Sequence, residues 1–273
     1  MAATLMAIGG AMDVTGPGAV LREFYNRAGG PAARIVIIPT ASTDRKAAHP
    51  YLSGLRRMGL RHRPLVLSII ARSDTQRRSH TTAIRHATGI LFGGGNQVRL
   101  LATFGGTPLE RELRAAYRRG AVVAGSSAGA AILSTVMLAF GRNGPTPRQG
   151  IAQFLPGLAF TDRLIFDQHF RQRDRLGRLL YAVANHPGLL GVGVDENTAA
   201  LIEGDCLTVV GENAVTIVDG ADLADTDVAE VDGHRPLAIS GARVHVLTHG
   251  CTFDLQRRRA SIPHPARPAE DQY

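Results

Sequence analysis

The stretch Ala121-Val122-Val123-Ala124-Gly125-Ser126-Ser127-Ala128-Gly129 decides how the chain is read. Four apolar residues predict a buried strand, the glycine and serines after them are turn punctuation, and residues 128–138 predict a packed helix. A strand turning sharply into a helix at Gly-x-Ser-x-Gly is the setting in which this pattern acts as a nucleophile elbow. The glycines then permit close backbone approach, Ser127 stands at the strand end with its hydroxyl exposed, and the Ala128 amide can donate to an oxyanion. The same residues would also serve as a small-residue turn that packs a helix on a sheet, so the motif needs support from elsewhere. Residues 121–141 carry no charge over about the length of a membrane span. The glycines and serines inside them fit a strand, a turn and a packed helix instead, and no membrane partner is expected.

Outward from this centre, short apolar runs alternate with amphipathic or arginine-bearing stretches. Strands are predicted at 5–8, 34–39, 63–68, 89–92, 121–124, 164–166 and 190–194. Helices are predicted at 20–28, 45–58, 96–104, 108–119, 128–138 and 174–184, with Thr107-Pro108-Leu109-Glu110 forming a capped start. Such alternation builds βαβ units and a largely parallel α/β sheet covered on both faces. Shorter strands at 199–202, 206–210, 214–218 and 243–247 are expected to extend that sheet as antiparallel edges. Residues 1–259 are read as a single catalytic domain, and 260–273, with Pro263, Pro265 and Pro268, as a mobile tail.

Composition narrows the function classes. With 273 residues, 44% hydrophobic and 20% charged, the chain can bury a sizeable core and is not a disordered or disulfide-stapled sequence. Its 31 basic and 23 acidic residues give a net charge of +8, which could suggest a nucleic-acid partner. Against this, Lys46 is the single lysine, the arginines are scattered, and no zinc-finger spacing or aromatic stacking motif accompanies them, so no nucleic acid is expected. Cys206 and Cys251 are too far apart for a metal knuckle and are expected to be buried thiols of a reducing compartment. Residues 1–10 carry no positive segment ahead of an apolar stretch, so no secretory signal is expected and the cytoplasm is the expected location.

A serine needs a base within hydrogen-bond reach, usually a histidine oriented by a carboxylate. Of the 10 histidines, His49, His62, His80, His86, His186 and His264 lie in arginine-rich or proline-rich contexts and read as solvated. His245, inside Val244-His245-Val246, reads as pointing out of an edge strand. His169 differs, because Leu164-Ile165-Phe166 runs into Asp167-Gln168-His169 at a strand end, where open α/β sheets place functional groups. Gly191-Val192-Gly193-Val194 likewise runs into Asp195-Glu196-Asn197. Three parallel strands thus deliver a serine, a histidine and carboxylates to one side of a sheet, which supports acyl transfer by hydrolysis. Gly93-Gly94-Gly95-Asn96-Gln97 lies at another strand end. It fits neither phosphate-binding pattern and reads as a plain glycine turn or as a second oxyanion donor, with Gln97 on the substrate. Arg171, Arg175 and Arg178 share a helical face if residues 171–178 are helical, and read either as a solvated basic helix start or as forks for a carboxylate-bearing substrate.

In this order, Gly125-Ser126-Ser127-Ala128-Gly129, Asp167-Gln168-His169, the spaced arginines and Asp195-Glu196 resemble the cyanophycinases of the dipeptidase E-like serine peptidase family. Ile38-Pro39-Thr40-Ala41-Ser42, Gly94-Gly95-Asn96-Gln97, Val244-His245-Val246-Leu247 and Phe253-Asp254-Leu255 carry the resemblance along nearly the whole chain. The resemblance implies a three-layer α/β/α sandwich, flavodoxin-like or class I glutamine-amidotransferase-like, in a cytoplasmic homodimer without metal or cofactor. It also implies Ser127 as nucleophile, His169 as base and then acid, Glu196 as orienting carboxylate, and oxyanion amides from Ala128 and from Gly94 or Gly95. Gln97, Asp167, Gln168, Arg173, Arg175 and Arg178 match positions that line the substrate pocket. The implied substrate is cyanophycin, a poly-aspartate whose side-chain carboxyls carry arginine through isopeptide bonds, cleaved from an end to β-aspartyl-arginine. A peptidase of the same family acting on other aspartyl or isoaspartyl peptides is the alternative. Two departures stand out: Gly9-Gly10-Ala11-Met12-Asp13 lacks the family's usual glutamate-aspartate-lysine after the glycines, and Ser126 stands where threonine is common.

Overall fold

A computed structural model describes residues 3–16 and 18–263. Its first half runs β1 (Thr4–Ile8), α1 (Ala19–Arg27), β2 (Ile35–Ile38), α2 (His49–Arg57), β3 (Leu65–Val66), α3 (Arg78–His86), β4 (Gly89–Phe92), α4 (Gln97–Phe104), α5 (Pro108–Arg118), β5 (Val122–Ser126) and α6 (Ala128–Ala131). Then follow β6 (Val136–Gly141), β7 (Ala152–Pro156), β8 (Leu164–Gln168), α7 (Leu176–Asn185), β9 (Leu190–Val194), β10 (Thr198–Glu203), β11 (Cys206–Gly211) and β12 (Val215–Asp219). The last elements are β13 (Asp225–Thr226), β14 (Ile239–Ser240), β15 (Arg243–Leu247), β16 (Thr252–Asp254) and β17 (Arg259–Ser261).

The central sheet has the order β17-β16-β11-β10-β1-β5-β4-β2-β3. Strands β1, β5, β4, β2 and β3 are parallel, and β10, β11, β16 and β17 continue antiparallel. The two-residue side-chain period of a strand explains why the parallel strands are apolar throughout. Leu5, Ala7, Val36 and Ile38 face Ile84 of α3, Leu100 and Phe104 of α4 and Leu113 of α5. Met6, Ile8, Ile35 and Ile37 face Val20, Leu21 and Phe24 of α1 and Leu55 of α2. This is the three-layer α/β/α sandwich that the resemblance implies. The expected start of α5 is present, with Thr107 accepting from the Glu110 amide at 3.2 Å.

The main difference from the sequence reading is a second sheet of order β15-β12-β9-β8, in which β8 and β9 are parallel and β12 and β15 antiparallel. One face (Phe166, Val192, Val194, Ile217) joins the core on the α4–α5 side of the central sheet. The other, with Ile165 and Val218, is covered by Leu179, Ala182 and Val183 of α7. Burial on both faces gives β8 and β9 the same apolar signature as central strands, so they read as members of one sheet. Strands β10 and β11 extend the central sheet as expected, whereas β12 and β15 belong to the second. The helix expected over 128–138 stops after one turn, and its last three residues open β6, in a hairpin with β7. Residues 260–261 belong to β17, paired with β16, and the rest of the expected tail from residue 264 lies outside the described residues. Among the described residues no helix is long and apolar enough to cross a membrane.

Candidate active site

The elbow after β5 is enforced by close backbone approach. A Cβ on Gly125 would lie 1.9 Å from the Gly129 carbonyl oxygen, and one on Gly129 would lie 2.5 Å from that of Phe92. Both glycines of the motif are therefore required sterically. Ser127 takes φ 55° and ψ −114°, a strained conformation for a non-glycine residue, held by its amide donating to the Ile8 carbonyl at 2.9 Å. Gly94 lines the nucleophile directly, since a Cβ there would lie 3.3 Å from Ser127 Cβ. The amides of Gly94, Gly95 and Ala128 donate to no backbone carbonyl among the described residues.

Ser127, His169 and Glu196 come together from strands of both sheets. Ser127 Oγ lies 2.9 Å from His169 Nε2, and His169 Nδ1 lies 2.6 Å from Glu196 Oε1. His169 follows β8 at φ 48°, its amide donating to the Gly9 carbonyl at 2.7 Å, which ties the second sheet to the end of β1. Burial holds its imidazole below the ordinary histidine value; the bond to Glu196 pulls the other way, and Arg173 and Arg175 add to the lowering. A neutral imidazole beside a serine, with a carboxylate fixing its Nδ1–H tautomer, can accept the hydroxyl proton as the serine attacks a carbonyl.

The triad opens into a cleft of about 430 Å³ whose lining includes Gly95, Gln97, Gln168, Arg173, Arg175 and Arg178. Gln97 donates to the carbonyls of Leu138 and Ala139, at 3.2 and 2.6 Å, so β6 sets its orientation. Gln168 Oε1 lies 3.4 Å from Ser127 Oγ. The arginines divide into two kinds. Arg173 is exposed, whereas Arg175 and Arg178 are buried and pinned by Asp167, whose side chain is fully buried. Arg178 grips that carboxylate in two-point geometry, with Nε 2.5 Å from Oδ2 and its terminal nitrogen bonded to Oδ1. Arg175 reaches Asp167 Oδ1 at 3.3 Å and the Gln168 carbonyl, and burial brings it down to about 10. Asp167 thus acts inward on the arginines, away from the open cleft. Arg171 does not share their face, because α7 begins only at Leu176 after Asp174 takes φ 49°.

Residues 5–210 match the model of peptidase family S51. The chain belongs to peptidase family S51. It is 38% identical over 255 residues to a cyanophycinase of Synechococcus elongatus, covering 92% of this chain and 79% of that protein. It is 37% identical over 257 residues to one of Trichormus variabilis, covering 93% and 86%. With a cyanophycinase of Geminocystis herdmanii it shares 36% over 254 residues, covering 92% and 93%. Among solved structures, a peptidase from an acI-B1 Actinobacterium superposes with a TM-score of 0.68 at 21% identity, over 93% of this chain and 97% of that one. This likeness bears on the fold.

Several parts of this S51 site have no individual role assigned from the sequence. Asp195 is buried and accepts the amides of Arg171 at 2.9 Å and Ala214 at 3.3 Å, joining the loops that carry His169 and Glu196; burial pushes its carboxyl up. Gln172 accepts the Glu196 amide at 3.1 Å. Gly10 walls the histidine ring, while Gly9 packs against the Val194 and Asp195 carbonyls; their signal was present in the sequence as the paired glycines ending the first strand. Some histidine and cysteine expectations are corrected. His80 is buried, with Nδ1 3.0 Å from the Asp74 carbonyl oxygen. His245 turns inward, its Nε2 buried and its ring edge-to-face with Phe253, while Val244 and Val246 point out. Cys206 is exposed rather than buried; Cys251 is buried as expected.

Proposed function

We propose that this S51 peptidase hydrolyses cyanophycin from an end, releasing β-aspartyl-arginine through an acyl-enzyme on Ser127. The observation that carries the reading is the hydrogen-bonded Ser127–His169–Glu196 series opening onto the arginine-lined cleft. Ser127 Oγ attacks the backbone carbonyl of the terminal unit as His169 Nε2 takes its proton. Glu196 stabilises the imidazolium that forms. The Ala128 amide, with that of Gly94 or Gly95, receives the developing oxyanion. The tetrahedral species collapses as His169 returns the proton to the leaving amine, and water, deprotonated by the same histidine, then frees the acyl group.

Each cyanophycin unit presents a guanidinium and a carboxylate. Arg173, exposed beside Ser127, suits the carboxylate, while Gln97 and Gln168 offer amide groups to the rest of the unit. Asp167, Arg175 and Arg178 form the rigid wall behind them. The reading carries with it the homodimer that the resemblance implies and a cytoplasmic location, which two free thiols suit.

The test is mass-spectrometric detection of β-aspartyl-arginine from purified cyanophycin with wild type and Ser127→Ala side by side. Release by wild type alone is expected. Release by both proteins would overturn the nucleophile. Release by neither, with wild type cleaving other aspartyl or isoaspartyl peptides, would overturn the substrate and leave the serine chemistry.

A further inference from the structure

A second cleft, of about 570 Å³, is lined by the segments 39–45 and 66–70 and by Arg99 of α4, the helix that follows the turn carrying Gly94 and Gly95. Gly94 touches Ser127, while a Cβ on Gly95 would lie 2.3 Å from the Ala41 carbonyl oxygen and 2.8 Å from the Ser42 nitrogen. The turn therefore lies between the nucleophile and residues 41–42, of which Ser42 lines this cleft, and the Asn96 amide fastens it by donating to the Ala41 carbonyl at 2.9 Å. The cleft's base is closed by Thr40 Oγ1 donating to the Ile69 carbonyl at 2.9 Å.

The lining joins an apolar wall to charges with no partner of opposite sign. Val66, Leu67, Ile69 and Ile70 supply the wall, and Ile70 is 79% exposed. Asp44, Arg45 and Arg99 supply the charges, and all three are exposed. Asp44 caps the Lys46 amide at 2.8 Å, and none of the three forms an ion pair among the described residues. Some exposed arginines elsewhere do, as in Arg27–Glu23, Arg77–Asp74, Arg85–Glu112 and Arg119–Glu112. One carboxylate and two guanidiniums, none of them ion-paired among the described residues, around an apolar wall are complementary to a ligand that carries a guanidinium and a carboxylate on an aliphatic stem.

We infer that this cleft binds the polymer chain beyond the unit attached to Ser127, Asp44 receiving a substrate guanidinium and Arg45 and Arg99 a substrate carboxylate. The inference rests on the cyanophycin reading and adds a second binding region, whose consequence is preference for the polymer over a single unit.

The test compares wild type with the double variant Asp44→Asn, Arg99→Gln on two substrates. One is cyanophycin; the other is a single β-aspartyl-arginine unit whose aspartyl α-carboxyl is blocked as a 4-nitroanilide, which has an acyl side and no polymer beyond it. The double variant leaves net charge unchanged, retains a side-chain oxygen to cap Lys46, and alters only exposed groups. Its kcat/KM on cyanophycin is expected to fall about tenfold, with the anilide within about twofold of wild type. Loss on neither substrate, or equal loss on both, overturns the second binding region while wild-type release from cyanophycin keeps the substrate reading. Failure of wild type to release the dipeptide from cyanophycin overturns both.

Discussion

A Cβ on Gly10 would lie 2.3 Å from Cε1 of His169 and 2.5 Å from its Nε2, so the backbone leaving β1 is the wall against which the imidazole rests. Gly10 also has φ 104°, which side-chain-bearing residues rarely adopt, and the preceding carbonyl, of Gly9, accepts the His169 amide. Gly10→Ala must therefore move the ring, the β1 exit, or both. Displacement of a catalytic group by about 1 Å costs on the order of a hundredfold, and kcat/KM is expected to fall by that factor while circular dichroism stays that of wild type. A folded variant within twofold of wild type would mean that Ser127 and Glu196 alone place the ring.

What the sequence made legible was local. Gly125 and Gly129 announce the elbow because the motif itself spans five residues and Gly125 is required by Gly129, and Asp167-Gln168-His169 stands out because an apolar strand ends in polar groups. Partnerships made at long range were hidden. Strands β8 and β9 carry the apolar pattern of a central strand, and nothing in 164–168 or 190–194 says which sheet they join. Residues 128–138 are small and aliphatic enough for a helix, but pairing of 136–141 with 152–156 outweighs that local preference. Helix α3 is not legible in the sequence because its buried residues are His80 and Ile84, and a buried histidine does not register as an apolar position. The sequence placed Asp167 with the arginines, but not the division of labour: burial of Asp167, Arg175 and Arg178 is visible only once α7 packs behind β8.

The pH profile should separate the neighbours of His169. Burial, Arg173 and Arg175 hold its value below 6.5, whereas Glu196 raises it. Because the neutral ring is the base, kcat/KM rises with pH on a limb whose midpoint lies below 6.5. Arg173→Gln removes a lowering charge and should move the midpoint up; Glu196→Gln removes a raising partner and should move it down while also lowering the plateau. The same depression means that stability contributed by the neutral ring is complete above 6.5 and is lost as pH falls through the folded value. Profiles of kcat/KM against pH for the three proteins on one uncharged-leaving-group substrate provide the check; shifts of the same sign would contradict this electrostatic account.

Asp167 and Arg173 should differ in kind. Asp167→Asn leaves two buried guanidiniums without their countercharge, and breaking such a pair costs about 3–5 kcal/mol. For a chain of this size that corresponds to a Tm lower by roughly 6 °C or more. Arg173 is exposed and bears no such load, so Arg173→Gln should leave Tm within about 1 °C and raise KM instead. Differential scanning calorimetry with steady-state kinetics on both variants distinguishes the wall from the exposed contact. Equal effects on Tm would remove the distinction.

Ser127 and His169 should fail as one. At 2.9 Å, Nε2 is placed to receive the serine proton, and neither group has an independent route to the acyl-enzyme. Ser127→Ala and His169→Ala should each lower kcat by a thousandfold or more, and the double variant should be no slower than the slower single, since the second substitution removes a group that already has nothing to act on. What survives in all three comes from the oxyanion amides and the cleft, which the substitutions leave in place. Rates of dipeptide release for the four proteins, followed by mass spectrometry, give the coupling directly. Multiplicative losses would mean that His169 serves a step Ser127 does not share, and would separate the base from the nucleophile.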